Sequence, residues 1–339
     1  VAHERRLPVV LAGSLILLPL AAFCLSLVLG RFPLSPVTAA KVLVSSWLPV
    51  DKTWEPVVET ILYHVRLPRI AAAMLIGSGL AVSGASFQGL FRNPLVSPFI
   101  LGVASGAGFG AALGILLSGQ TFFIQAGAFA FGALAVALTY GMGRLYRSAP
   151  TLVLILSGVI VGTFFSSLLS LLKYVADPDD KLPLIVYWLM GSLATMSQAK
   201  LYTVSLPIII GLAFLFAVRW RLNVLSFGEE EAKSLGVETG RLRLLVVTAA
   251  TVITASAVSV SGIIGWVGLV IPHLARMLVG PDYRRLIPAC LSLGASYLLV
   301  IDDLARTATS SEIPLGILTA TVGAPVFAFL LRRGKLGWA

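Results

Sequence analysis

The side chains able to do chemistry are few in this chain and far apart. Its three histidines, His3, His64 and His273, fall in three separate regions, and its two cysteines, Cys24 and Cys290, both sit inside apolar runs. Acid–base or nucleophilic catalysis, or a metal centre, needs such groups to converge, and no spacing here brings them together. The cysteines suggest no disulfide framework either. The chain has no G-x-x-x-x-G-K-S/T loop to cradle a nucleotide phosphate, so any ATP and Mg²⁺ must be held by a partner. The expectation is a protein that is not itself an enzyme and carries no cofactor. What remains are charges at the edges of apolar segments: Arg66-Leu67-Pro68-Arg69, Asp302-Asp303 with Arg306 and Glu312, and the cluster within 219–243. One helix-breaking turn, Asn93-Pro94-Leu95, stands beside them.

The elements that must position these groups are set by composition. Of 339 residues, 58% are hydrophobic and only 12% charged, with a mean hydropathy of +0.95. Soluble domains carry about 25% charged residues, so most of this chain must be solvated by lipid. Apolar segments of spanning length recur near 9–29, 69–90, 97–118, 122–143, 151–172, 201–218, 244–261, 263–280, 287–301 and 314–331. These predict an all-α, polytopic membrane protein of about ten transmembrane helices, with 1–339 as one transmembrane unit. Arg5-Arg6 followed by the first apolar run reads as a retained first helix and not as a cleaved leader.

Orientation follows from the bias of Lys and Arg toward cytoplasmic loops. With both termini cytoplasmic, inside loops hold 16 of the 25 Lys and Arg against 6 of the 15 acids, which puts the whole net charge of +10 on that side. The positives are scattered over separate short loops, as topology requires, so the basic pI of 9.9 points to a membrane in contact with lipid and not to nucleic acid.

Two further readings bear on function. An ion-coupled transporter usually carries an ionisable group at mid-bilayer, at a cost of about 2.5–3.5 kcal/mol; here every Asp and Glu is expected in a loop or at a helix end. The segment 219–243, by far the most charged loop, reads as a coupling surface for a partner. Glu229, Glu230 and Glu231 open a short helix through Ala232 and Leu235 that ends at Gly236, and a second start follows at Val237-Glu238-Thr239-Gly240. These coupling helices are placed at about 221–243. A charged, merely solvated loop remains the alternative from the residues alone.

The ordered blocks carry a resemblance. Arg66-Leu67-Pro68-Arg69, Ser83-Gly84-Ala85 through Gln88, Asn93-Pro94-Leu95 and Leu101-Gly102-Val103-Ala104-Ser105-Gly106-Ala107 resemble the FecCD-type permeases of ATP-binding-cassette importers for cobalamin, haem and ferric siderophores. So do Tyr187-Trp188-Leu189-Met190-Gly191-Ser192, Gly265-Trp266 through Pro272-His273, Asp303-Leu304-Ala305-Arg306 and Pro314-Leu315-Gly316 through Pro325, in the same order, with Trp266 where many relatives have Phe. The similarity runs from about 60 to the C-terminus.

The resemblance implies a type II importer permease in the inner membrane, a homodimer with its translocation path on the shared axis. It also implies two ATPase subunits below and a periplasmic or lipid-anchored binding protein outside. It assigns Asn93, Leu95 and Thr151 to the inner gate and Glu229, Glu230, Ala232, Leu235 and Gly236 to ATPase coupling. Arg66, Arg69 and Arg306, placed outside against the inward bias of positive charge, it assigns to salt bridges with the binding protein. His273 matches a family position at which packing and substrate contact are both open. The cargo is a metal chelate (haem, ferric siderophore or cobalamin) or an oxyanion such as molybdate. The alternatives are an ATPase-independent secondary transporter or channel, and a structural membrane scaffold.

Overall fold

The computed structural model describes residues 9–144 and 151–332, and among these all regular structure is helical. Helix α1 (Val9–Val28) leads through a loop to α2 (Pro36–Ser45). A single rod follows, made of α3 (Pro56–Thr60), a π-helical turn (Ile61–Arg66) and α4 (Leu67–Phe91). Pro68 explains the widened turn: with no N–H to donate and a ring that crowds the preceding turn, it disrupts regular α bonding there, and the π turn absorbs the misfit. The rod therefore runs 36 residues and starts well before the apolar stretch beginning at Arg69.

After a 3₁₀ turn (Pro98–Leu101) come α5 (Val103–Leu117), α6 (Thr121–Arg144), α7 (Thr151–Val175) and the short α8 (Lys181–Met190). Helix α9 (Gln198–Ala217) is followed by α10 (Arg219–Phe227) and α11 (Glu229–Ser234). The chain ends with α12 (Thr239–Ser261), α13 (Val267–Val279), α14 (Tyr283–Thr307) and α15 (Leu315–Arg332). Each of the ten expected apolar segments falls on a helix. Among the described residues, seven helices are long and apolar enough to cross a membrane; α5, α13 and α15 are shorter, and 13 residues of α13 reach only about 20 Å of the roughly 30 Å core. Gly262, at φ 67°, separates α12 from α13, and a Cβ there would strike the carbonyl oxygen of Trp188, so the two are distinct helices.

Helix α4 is the centre of the molecule. Its most apolar window is 83% buried, and it packs on α14, α12, α13 and α9. It runs antiparallel to α14: Arg69 meets Asp302, Gly77 meets Gly294 and Gly89 meets Tyr283. Lipid offers no hydrophobic drive for helix association, so contact area comes from letting backbones approach at small residues. Gly84 shows this most sharply, because an added Cβ would collide with the Gly268 backbone of α13, where no flexible side chain can give way. Gly84→Val is therefore expected to cost at least about 1–3 kcal/mol, read as an earlier thermal transition in detergent. Gly141→Ala, with nothing within 4 Å of the new methyl, should shift it by no more than about 0.5 kcal/mol. Equal melting of the two variants would show that the α4–α13 crossing is loose.

Around this centre, α1 lies beside α14, and α5, α6 and α7 form a second group joined to the first through α12. Elements α2, α3 and α8 gather at one end of the bundle, where Gln198 Nε2 donates to the Tyr63 carbonyl at 3.2 Å. The turn after α4, α10, α11 and the α13–α14 turn gather at the other.

Candidate functional site: gate turn, coupling helices and a buried ionic knot

At the end of α4, Arg92 takes the left-handed conformation (φ 50°) and stops the helix. Asn93 then donates its N–H to the Gln88 carbonyl at 3.1 Å, and its side-chain oxygen accepts from the Leu95 N–H at 2.9 Å. This Asx turn, reinforced by Pro94, leaves Asn93 partly buried and Leu95 54% exposed at the tip. Thr151 opens α7, but its side chain lies outside the described residues.

Past the turn, the 3₁₀ segment and α5 face α7 across a groove of about 510 Å³. Its α7 wall is a row of Gly158, Gly162, Thr163, Ser166, Ser167 and Ser170. A Cβ on Gly158 would strike the Ile100 carbonyl, so the row lets the 3₁₀ segment seat closely. Ser166 Oγ donates to Ser105 Oγ across the groove at 3.1 Å, and Thr163, Ser166, Ser167 and Ser170 are exposed.

The loop 219–243 is more structured than the sequence suggests, and two expectations about it are corrected. The second short helix precedes the acidic one: it is α10, while Val237–Gly240 leads directly into α12. The amphipathic run Arg219–Phe227 buries Leu222, Val224 and Leu225, which explains why it folds back on the bundle. In α11, Glu230 is exposed, whereas the Glu229 side chain lies outside the described residues. Ala232 is fully buried against the protein's own helices and presents nothing to a partner, contrary to its expected place on the coupling surface. Leu235 is 64% exposed, and Gly236 ends the element at φ 77°. Leu235, Trp220 and Val237 line a second concavity of about 490 Å³ with Arg221, Glu238 and Arg241 at its edge.

At the opposite end, Arg66, Arg69 and Arg306, expected to face a binding protein, lie close together and are not exposed: they retain 3%, 7% and 6% of their surface. Arg69 grips Asp302 through Nε and Nη2, each at 2.9 Å to a different oxygen, and reaches Glu312 through Nη1 and Nη2 at 3.0 and 2.9 Å. Arg306 binds Asp303 and the Ser26 carbonyl and hydroxyl of α1, and Ser26 Oγ donates to Asp303 at 2.7 Å. Arg66 donates to the carbonyls of Leu27, Val28 and Phe32, capping the end of α1 where helix carbonyls lack partners. Arg69 and Arg306 thus pair with Asp302, Asp303 and Glu312, and Arg66 beside them holds the end of α1, in a knot that ties α1, α4 and α14 to the loop before α15.

Asp302 and Asp303 lie in the last two turns of α14, near the helix end expected for them, but they are 0% and 4% exposed. The i,i+3 and i,i+4 spacing of Asp303 and Asp302 to Arg306 was the available sequence signal. His273 is 2% exposed, its ring edge-on to Phe327 at 5.7 Å, so within one chain it is a packed residue. Asn223 of α10 was not singled out; a lone amide in an apolar amphipathic run was the clue. Among the described residues, no group of His, Cys, Asp and Glu could hold a metal.

An exposed turn, a groove lined partly by hydroxyls and a short helix pair packed at the same end of the bundle as the turn suit transport, and comparison with known proteins decides the assignment. Residues 16–333 match the profile of the FecCD transport family. The chain belongs to that family. Among FecCD relatives, it is 42% identical over 330 residues to the molybdate import system permease protein MolB of Haemophilus influenzae, covering 97% of both chains. It is 41% identical over 275 residues to the cobalamin import system permease protein BtuC of Halobacterium salinarum, covering 81% of this chain and 74% of that one. A solved structure, an inward-facing conformation of a putative metal-chelate type ABC transporter, superposes with a TM-score of 0.86 at 42% identity, covering 96% of this chain and 99% of that one. As a FecCD protein, the chain is a multi-pass, inner-membrane permease subunit of an ATP-binding-cassette importer. It works with ATPase subunits and a substrate-binding protein and is not itself an enzyme; ATP hydrolysis lies on a separate chain. An ATPase-independent transporter or channel is not favoured.

Proposed function

We propose that two copies of this permease face each other across the α5–α7 groove and pass a metal-containing cargo, chelate or oxyanion, along their shared axis into the cytoplasm. The observation that carries this reading is the exposed row Thr163, Ser166, Ser167 and Ser170, on one face of a helix otherwise apolar enough to span the bilayer. Hydroxyls gain nothing from hydrocarbon, which can neither donate nor accept, so such a face belongs on a watered path. The lining residues are hydroxyls, glycines and the apolar Phe99, Ile100 and Val159, with no charge, so the path grips the cargo weakly and the binding protein selects it. Relatives named for molybdate and for cobalamin are compatible with one such path.

Both termini, α10 and α11 lie in the cytoplasm in this reading. Asn93 and Leu95, joined by Thr151, close the path on that side. Glu229, Glu230, Leu235 and Gly236 seat in the ATPases, and ATP binding drives the change because it interacts differently with the two conformations. The binding protein docks at the α2–α8 end, which the ionic knot holds in shape.

Cysteine substitution tests the arrangement, with Cys24 and Cys290 replaced by alanine. Ser166→Cys should react with a water-soluble maleimide and cross-link between copies. Asp179→Cys should react from outside the cell and Leu235→Cys only from the cytosol. Reaction of position 166 with lipid-soluble reagents alone, with no cross-link, would turn the groove toward lipid, and outside labelling of 235 would invert the topology.

A further inference from the structure

We infer that Asn223 is a positioning residue that links the coupling helices to the gate turn by capping the first turn of α14 from a different helix; this rests on the coupling and gate roles proposed above. The first N–H groups of a helix have no partner within it. In α14, the Arg284 N–H is taken by Asp282 Oδ1 at 2.9 Å, as an ordinary N-cap. The Tyr283 N–H is taken instead by Asn223 Oδ1 of α10 at 2.8 Å, and Asn223 Nδ2 donates to the same Asp282 Oδ1 at 2.6 Å. One amide thus holds both the cap residue and the first residue of α14, and α10 cannot shift along the bundle without carrying that helix end or breaking both bonds.

The next contact leads to the gate. Tyr283 is 2% exposed, and its ring lies so close to Gly89 of α4 that a Cβ there would meet the phenol oxygen. Gly89 accepts from the Arg92 N–H at 3.2 Å, and Gln88 accepts from the Asn93 N–H at 3.1 Å. At the other end of the path, α11 packs on α10 and α12, with Ala232 fully buried in that contact. The route runs α11, α10, Asn223, Tyr283, Gly89 and the Asn93–Leu95 turn through packed or hydrogen-bonded neighbours. A link of this kind is a physical claim only if breaking it changes the coupling between its two ends.

The test uses the assembled importer, with its ATPases and binding protein, in liposomes. Asn223→Ala should raise the ATP hydrolysed per cargo moved by about tenfold or more, the factor corresponding to loss of two hydrogen bonds, while hydrolysis itself stays within about threefold. Asn223→Asp alone should be worse, since it sets a carboxylate against Asp282. Asn223→Asp combined with Asp282→Asn should recover coupling in part, because the carboxylate now at position 223 still accepts from the Tyr283 N–H and the amide now at position 282, turned so that its Nδ2 faces that carboxylate while its Oδ1 keeps the Arg284 N–H, donates back across the pair. That rescue is a readout that general destabilisation would not give, and it remains informative if Asn223→Ala fails to fold. Wild-type coupling in Asn223→Ala, or no rescue in a folded exchanged pair, overturns the inference. Leu235→Arg run in parallel separates the layers: if it uncouples while Asn223→Ala does not, only the link fails; if neither uncouples, the coupling reading fails and takes the link with it.

Discussion

Arg69→Leu is expected to lower the stability of the solubilised permease by about 3–5 kcal/mol, the usual cost of removing one partner from a buried ion pair and leaving the other charge unanswered. Asp302 is 0% exposed, and its nearest remaining cation, Arg306 Nε, stands 3.9 Å away. Glu312→Gln should cost only about 1 kcal/mol or less, because the Glu312 side chain keeps 20% of its surface and Arg69 retains its bidentate hold on Asp302. Arg69→Leu with Asp302→Leu should recover much of the loss, since replacing a buried pair by apolar groups is often close to neutral. Thermal melting of the four proteins in one detergent checks the ordering. If these arginines served the binding protein, Arg69→Leu would melt like wild type and slow association in a salt-dependent way instead.

Leu235→Arg is expected to leave insertion and melting unchanged, and Gly236→Pro to leave insertion unchanged with a lower melting temperature, while both abolish productive coupling. Leu235 is 64% exposed in the isolated chain, and burying a leucine in a partner's groove contributes about 1.5–3 kcal/mol. A charge at that point should weaken ATPase association by about ten- to a hundredfold. Gly236 has φ 77° and open space around it. Proline, fixed near −65° and without an N–H for the Lys233 carbonyl, cannot adopt that conformation and so re-aims the end of α11 at a local cost. Co-purification of the ATPases and uptake into liposomes measure the two effects. Normal uptake in both variants would make α11 a bystander.

The sequence by itself determined what depends on local pattern. Apolar runs of spanning length placed all ten principal helices, since burial in lipid demands uninterrupted hydropathy that a linear window can read. Asn93-Pro94 marked a turn because proline and Asx chemistry act within a few residues, and Asn93 Oδ1 does accept from the Leu95 N–H. The ordered motifs carried the family, and the lack of a phosphate loop put ATP on another chain. The tertiary structure decided whatever depends on partners distant in sequence. Arg69 and Asp302 are 233 positions apart, and only the antiparallel packing of α4 on α14 brings them together, turning expected surface cations into a buried, neutralised knot. Ala232 likewise looked available on a charged helix until α10 and α12 covered it. Asn223 carried no visible role because its two acceptor and donor partners belong to α14, a helix that begins some sixty residues later. Hydropathy is a property of neighbours along the chain, whereas charge compensation and trans-capping are properties of neighbours in space.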